Sequence, residues 1–160
     1  VVTRDSVLFT QGVGDLTPST PVPIASATKW LAGLVIAGLA AEGTLPLDAT
    51  VGRWIPTAPP ATRGITVRQL FAHTSGIPGG AGVLEAGCIA DRATTLAACA
   101  DELLAEPLLG APGAVFSYGG GSMQVAGRLA ELATGQSWTA LFDTRVRTPL
   151  GLTVTSFGAG

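Results

Sequence analysis

The sequence is poor in charged residues, cysteine and histidine. Charged residues make up 12% of its 160 residues and the formal net charge is −2, so we expect no basic surface for nucleic acid or an anionic membrane. Two cysteines and one histidine poorly supply a zinc site built from such ligands. These scarcities favour a small, weakly charged molecule as the substrate, and we expect neither a metal nor a cofactor.

No apolar run reaches the length of a membrane span. The longest, at residues 30–41, is interrupted by Gly33 and Gly38, whereas a span needs about 20 residues. We therefore expect this run to form a buried core helix. The first five residues lack the basic and then apolar layout of a signal peptide, which predicts either a cytoplasmic protein or a mature or truncated form.

Hydrophobic residues are abundant, at 47% of the chain, which is enough to bury one sizeable core. Residues 6–13 are rich in β-branched and aromatic types and run into a Gly-Asp turn, a pattern typical of a strand. The later sequence is mostly helical. We expect one incomplete domain over residues 1–160, with a sheet remnant at 1–20 and a mainly helical region at 24–160.

Apolar spacing and cap residues predict five helices. They lie at residues 26–41, 65–72, 94–105, 122–133 and 137–146. Thr66 is placed to cap the second of them. The Gly-rich segment 76–87 is expected to be a flexible loop.

The tetrad Ser26-Ala27-Thr28-Lys29 stands at the start of the first predicted helix, where its i and i+3 positions share a face. A desolvated lysine can accept the proton of a serine nucleophile, and free N–H groups of a first turn can stabilise an oxyanion. The alternative is a capping serine followed by a surface lysine. Lys29 is the only lysine beside eight arginines. Because arginine cannot act as a base, the catalytic interpretation is favoured.

The only tyrosine and the only histidine each allow two interpretations. Tyr118 could shuttle a proton beside an ammonium group, or it could be a half-buried tyrosine with a satisfied hydroxyl; taken by itself, its sequence context favours the second. His73 could be the base of a Ser-His-Asp triad, but no serine lies in a G-x-S-x-G sequence. We therefore expect His73 to be structural and to hold the loop that follows it.

The two cysteines, Cys88 and Cys99, leave two alternatives open. They could close a short disulfide loop, which would imply an oxidising compartment, or they could remain unpaired and buried. Their spacing does not determine the Cα separation that a bridge requires.

Several motifs in linear order resemble one family. They are SATK at 26–29, EGTLPLD at 42–48, ITVRQL at 65–70, HTSGI at 73–77, PG at 112–113, FSY at 116–118, AG at 126–127 and PLGL at 149–152. Together they resemble the class C β-lactamase-like serine hydrolases of the β-lactamase and penicillin-binding-protein superfamily. The resemblance covers nearly the whole chain.

This resemblance implies an α/β (α+β) fold of the β-lactamase/transpeptidase type, present mostly as its helical region with an incomplete antiparallel sheet. It implies that Ser26 is the acylated nucleophile, that Lys29 is the general base or its electrostatic partner, and that Tyr118 is the second-motif tyrosine. Gly119 and Gly120 would then contact the substrate. Together with a disulfide, the resemblance implies a secreted or periplasmic protein.

Two departures from the family pattern bear on function. Gly120 stands where the second motif, Tyr-x-Asn, has its amide, which favours an esterase-like activity on small esters or amides over a β-lactamase or D-Ala-D-Ala carboxypeptidase. The third motif, Lys-Thr-Gly, cannot occur because Lys29 is the only lysine. We expect a homo-oligomer or a further polypeptide segment to complete the sheet. A non-catalytic binding or sensor module is the alternative of another class.

Overall fold

The computed structural model describes residues 1–79, 87–91 and 93–157. In these residues the regular structure is helical, and the helices are α1 (Thr28–Ala41), α2 (Val51–Trp54), α3 (Val67–Phe71), α4 (Leu96–Ala105), α5 (Gly121–Thr134) and α6 (Trp138–Phe142). A 3-10 turn, Ala25–Ala27, precedes α1, and a π-helical segment, Asp143–Arg147, follows α6. None of these described helices has both the length and the apolar character needed to cross a membrane.

Helix α5 lies at the centre and contacts each of the other five helices. Its buried face is built mainly from small residues, among them Ala126, Gly127 and Ala130. A Cβ atom at Gly127 would lie 3.2 Å from Cδ2 of Leu96, which is tighter than ordinary packing allows. Glycine at this position therefore lets α4 approach α5 closely.

The five predicted helices are confirmed, with shifted ends. The predicted cap of α3 is also present, because the Thr66 hydroxyl accepts from the backbone N–H of Gln69 and the Gln69 side chain accepts from the backbone N–H of Thr66. This reciprocal pair satisfies two N–H groups that a helix start leaves free. Thr95 and Ser137 cap α4 and α6 in the simpler way, through their hydroxyls alone.

The predicted strand at residues 6–13 is wrong. Within the described residues the only pairing near it is a single antiparallel bridge between Val2 and Val7. A strand needs neighbours that share its hydrogen bonds and cover its apolar face, and the apolar side chains of this segment are exposed. The strand-like composition of residues 1–20 therefore forms no ladder in this structure. Of the predicted Gly-rich loop, residues 80–86 lie outside the described residues.

Helix α1 has two apolar faces, of which one is buried. Val35 and Leu39 are fully buried in the core. Trp30 and Leu34, one turn apart on the other face, are 82% and 51% exposed. Ser26, just before the start of this helix, is exposed at the surface of the molecule.

Candidate active site

Ser26 lies in the 3-10 turn ahead of α1 and not in the α-helix itself. The preceding residue, Ala25, has a φ of +44°, a left-handed conformation that is strained for a residue with a side chain. The turn is closed by a hydrogen bond from the N–H of Ala27 to the carbonyl of Ile24, at 3.0 Å. This strained turn presents the Ser26 hydroxyl at the exposed N-terminal end of α1.

Lys29 reaches back over this turn to the serine. Its Nζ atom donates to Oγ of Ser26 at 3.1 Å, the contact that the i, i+3 spacing predicts. A hydroxyl and an amine at this distance can exchange a proton directly.

Tyr118 comes from a different part of the chain, three residues before the start of α5. The Lys29 Nζ atom lies 4.7 Å from the centre of its ring. Hydrogen bonding with the Ser26 side chain, and then with that of Lys29, lowers the pKa of Tyr118 below its ordinary value; the Lys29 charge adds to this, while burial opposes it. The three side chains thus form one polar cluster, which we call the Ser26 cluster.

The segment that carries Tyr118 is tied to the segment after α3. The N–H of Ser117 donates to the carbonyl of His73 at 2.8 Å, and the N–H of Gly113 donates to the carbonyl of Thr74 at 2.7 Å. The N–H of Gly79 donates to the Ser117 hydroxyl at 2.8 Å. These hydrogen bonds fix the position of the segment that carries Tyr118 relative to residues 73–79.

A buried pair of hydroxyls adds a further tie. The Oγ atoms of Ser75 and Ser122 lie 2.9 Å apart, and the Ser75 oxygen also accepts from the N–H of Ile77. Ser122 belongs to the first turn of α5. The pair therefore joins the loop after α3 to the start of the helix that Tyr118 precedes. Neither serine carries a local signal in the sequence, because their pairing depends on tertiary contacts between residues 47 positions apart.

Gly119 and Gly120 follow Tyr118 and are both half-buried. The backbone of Gly120, at φ −80° and ψ −29°, is one that any residue adopts, so conformation does not demand glycine here. A side chain would, however, need Ile89 to shift, because a Cβ atom would lie 3.3 Å from Cδ1 of Ile89. An apolar side chain thus occupies the neighbourhood in which the family motif places an amide.

Ile89 is held there by its neighbour in sequence. In this structure Cys88 and Cys99 form a disulfide whose Cα atoms are 5.2 Å apart, and Cys99 lies on α4. The bridge therefore anchors the residue before Ile89 to the helix core. Ile89 carried no signal in the sequence, because its contact with Gly120 depends on a cross-link that the sequence left open.

The cluster has the groups for acyl transfer. A serine hydroxyl supplies the nucleophile, and an amine and a phenol within reach of it can move protons. Across the described residues, no three His, Cys, Asp or Glu side chains are grouped so that they could hold a metal ion.

Comparisons with known proteins agree on one family. The model of the beta-lactamase family matches residues 1–160. The esterase EstB of Burkholderia gladioli is 34% identical over 164 residues, which cover 89% of this chain and 41% of the esterase.

Solved structures give the same result. A β-lactamase candidate from Bacteroides dorei has a TM-score of 0.82 and 38% identity, over 95% of this chain and 45% of its own. The D-amino acid amidase of Ochrobactrum anthropi has a TM-score of 0.68 and 27% identity, over 81% of this chain and 36% of its own.

The chain thus spans less than half of each of these relatives. The part that it shares with them is mostly the helical region of the β-lactamase/transpeptidase-like fold. Among the described residues, strand pairing is limited to two isolated antiparallel bridges, between Val2 and Val7 and between Thr50 and Thr66. The match over its full length, with the similar esterase and amidase, shows that the chain belongs to the β-lactamase family.

Proposed function

We propose that this chain carries the nucleophile and the proton-transfer groups of a serine hydrolase that acts through an acyl-enzyme on Ser26. One observation carries the proposal: the 3.1 Å contact between Nζ of Lys29 and Oγ of Ser26. The chain's only lysine makes this contact, in a protein that otherwise uses arginine for positive charge.

In the first step, the Ser26 oxygen attacks the substrate carbonyl while its proton passes to Nζ of Lys29, which can accept it only when unprotonated. The tetrahedral intermediate then expels the alcohol or amine of the substrate, which takes up a proton from the Lys29 and Tyr118 pair. This leaves an ester between the acyl group and Ser26. In the second step, water attacks that ester and gives up its proton to the same pair. The bond to the Ser26 oxygen then breaks, the acid is released, and the pair returns the proton to the Ser26 oxygen.

The surroundings of Gly120 support a small ester as the substrate. Position 120 offers no amide, and Ile89 is close enough to disfavour a side chain there. An apolar wall suits an acyl group better than the polar side chain of a β-lactam or a peptide. The similarity to the esterase EstB points the same way.

Hydrolysis of a small amide is the second candidate. The similarity to the D-amino acid amidase of Ochrobactrum anthropi favours it, and the same acyl-enzyme chemistry would serve it. A β-lactamase or D-Ala-D-Ala carboxypeptidase activity is the further alternative; at Gly120 the chain lacks the side-chain amide of the second motif.

The exposed face of α1 supports a role for further polypeptide in the complete site. Trp30 and Leu34 place large apolar surface in solvent on the helix that carries Lys29, and such surface is typical of an interface. We propose that a second copy of the chain or another polypeptide segment covers this face.

We also propose a secreted or periplasmic location. The disulfide between Cys88 and Cys99 supports it, because disulfides persist in oxidising compartments and are rare in the cytosol.

The test of the proposal is covalent labelling. The purified chain is treated with a fluorophosphonate, and the labelled peptide is mapped by mass spectrometry. We expect the label on Ser26, its loss in Ser26→Ala, and its retention in Ser19→Ala, a control at an exposed loop serine. No labelling, or labelling at another residue, would overturn the assignment and would favour a non-catalytic binding or sensor module.

A further inference from the structure

His73 lies directly against the tyrosine of the Ser26 cluster. The centroids of the His73 and Tyr118 rings are 4.6 Å apart and the rings are tilted by 49°. Phe116 approaches the same imidazole edge-on, with the centroids 6.0 Å apart. The imidazole therefore packs against two aromatic rings from the segment that carries Tyr118.

The backbone of His73 has a left-handed conformation. Its φ is +57°, in a region that is uncommon for residues other than glycine, although asparagine, aspartate and histidine adopt it more often than the rest. Its carbonyl accepts from the N–H of Ser117 at 2.8 Å. Strain of this kind persists where the surroundings hold it, and it is concentrated at functional sites.

The polar atoms of the imidazole do not explain why it is there. Nδ1 is buried, and in the described part of the chain it has no hydrogen-bond partner. The loop is tied by the backbone carbonyl of His73 and not by its side chain. The backbone of His73, and not its side chain, therefore ties the loop. The position of the ring needs another explanation.

The surroundings of the His73 ring favour its neutral form. Burial and then the positive charge of Lys29 lower the pKa of His73. The titratable groups that face it in the described residues are Lys29 from α1 and Tyr118 from the segment before α5. A neutral ring is therefore placed beside the ammonium and the phenol without adding a competing charge.

We propose that His73 is a positioning residue whose imidazole holds the Tyr118 ring beside the Lys29 amine. This inference rests on the proposed function for its catalytic meaning, because only an acylating site needs the phenol at that place. The position that it assigns to the Tyr118 ring does not depend on whether the chain hydrolyses a substrate.

The chain offers a direct readout, since Tyr118 is its only tyrosine. The ultraviolet absorbance change on phenolate formation therefore reports the pKa of Tyr118 alone. His73→Asn keeps a residue that tolerates positive φ but removes the ring, whereas His73→Phe keeps a ring of similar shape. The wild type and both variants are titrated, and far-ultraviolet circular dichroism checks that each remains folded.

We expect His73→Asn to raise the pKa of Tyr118 towards its ordinary value, because the phenol leaves Ser26 and Lys29. We expect His73→Phe to keep it lowered. The rate of Ser26 labelling should fall by about 100-fold in His73→Asn and be largely restored in His73→Phe.

An unchanged Tyr118 titration in a folded His73→Asn protein would overturn the inference. If that variant does not fold, His73→Phe decides the matter: a Tyr118 pKa as low as in the wild type supports the inference, and a raised one overturns it. If no variant or wild-type protein is labelled at Ser26, the proposed function fails while the titration still tests the position of Tyr118.

Discussion

At the scale of single residues, the chain places its only lysine, its only histidine and its only tyrosine in one site. Both cysteines are bonded to each other. Lysine, histidine and tyrosine are therefore the side chains of this chain whose ordinary pKa values lie between those of the carboxylates and that of arginine. The side-chain proton chemistry of the chain near and above neutral pH is therefore concentrated at the Ser26 cluster and His73.

His73 should make stability depend on pH in a defined direction. Its pKa is lower in the folded chain than its ordinary value of 6.5, so the unfolded chain binds more protons as the pH falls below that value. We expect the Tm to fall as the pH is lowered from about 7.5 to about 5.5. In His73→Phe this component should disappear; an equal fall in that variant would contradict the shift.

Gly120 should resist a larger side chain. Gly120→Asn brings a side chain against Ile89, and such overpacking costs about 1–3 kcal/mol. The free energy of unfolding is measured by urea denaturation for Gly120→Asn, Ile89→Ala and the double variant. We expect Ile89→Ala to relieve much of the cost in the double variant. Strictly additive losses would show that the two side chains do not meet.

At the scale of helices, the sequence predicted most of what the structure contains, because apolar spacing and cap residues are local signals. The sequence predicts Thr66 as a cap, and the reciprocal hydrogen bond of Gln69 involves the same four residues. The 3-10 turn at Ser26 was not predicted, since the positive φ of Ala25 has no local signature. Residues 6–13 failed as a strand because strand formation depends on partners elsewhere.

The contacts of the candidate site were likewise predictable only where they are local in sequence. Lys29 and Ser26 are three residues apart, so their contact is a property of one turn. Tyr118 joins them only through tertiary packing, and its place was available from family resemblance alone. The roles of His73 and Ile89 depend on contacts across 45 and 31 positions of sequence, respectively, with residues 118 and 120, which no local pattern encodes.

The cap of α3 gives a prediction at this scale. Thr66→Ala removes the acceptor for the Gln69 N–H and should lower the free energy of unfolding by about 1 kcal/mol. Thr57→Ala, at an exposed turn residue, is the matched control and should change it little. Equal effects of the two substitutions in denaturant titrations would contradict a stabilising role for the cap.

At the scale of the whole molecule, the helical core is buried around α5 while one face of α1 is left open. We expect the purified chain to associate through Trp30 and Leu34, because exposed apolar surface of this kind drives assembly. Light scattering coupled to size-exclusion chromatography measures the mass. Leu34→Glu should lower it, whereas Val154→Glu, at another exposed apolar residue, should not.

A strictly monomeric wild-type chain that binds no hydrophobic dye would contradict this account of the α1 face. A mass that falls equally in both variants would place the interface elsewhere.

The central claim is that the Lys29 amine activates Ser26, and the rate of fluorophosphonate labelling of Ser26 in Lys29→Arg tests it most directly. Arginine keeps the positive charge but cannot accept the serine proton, so a base role predicts a loss of at least about 100-fold against the wild type. Arg147→Ala, which removes a cation paired with Asp143, should label at the wild-type rate. Labelling of Lys29→Arg at the wild-type rate would contradict the account.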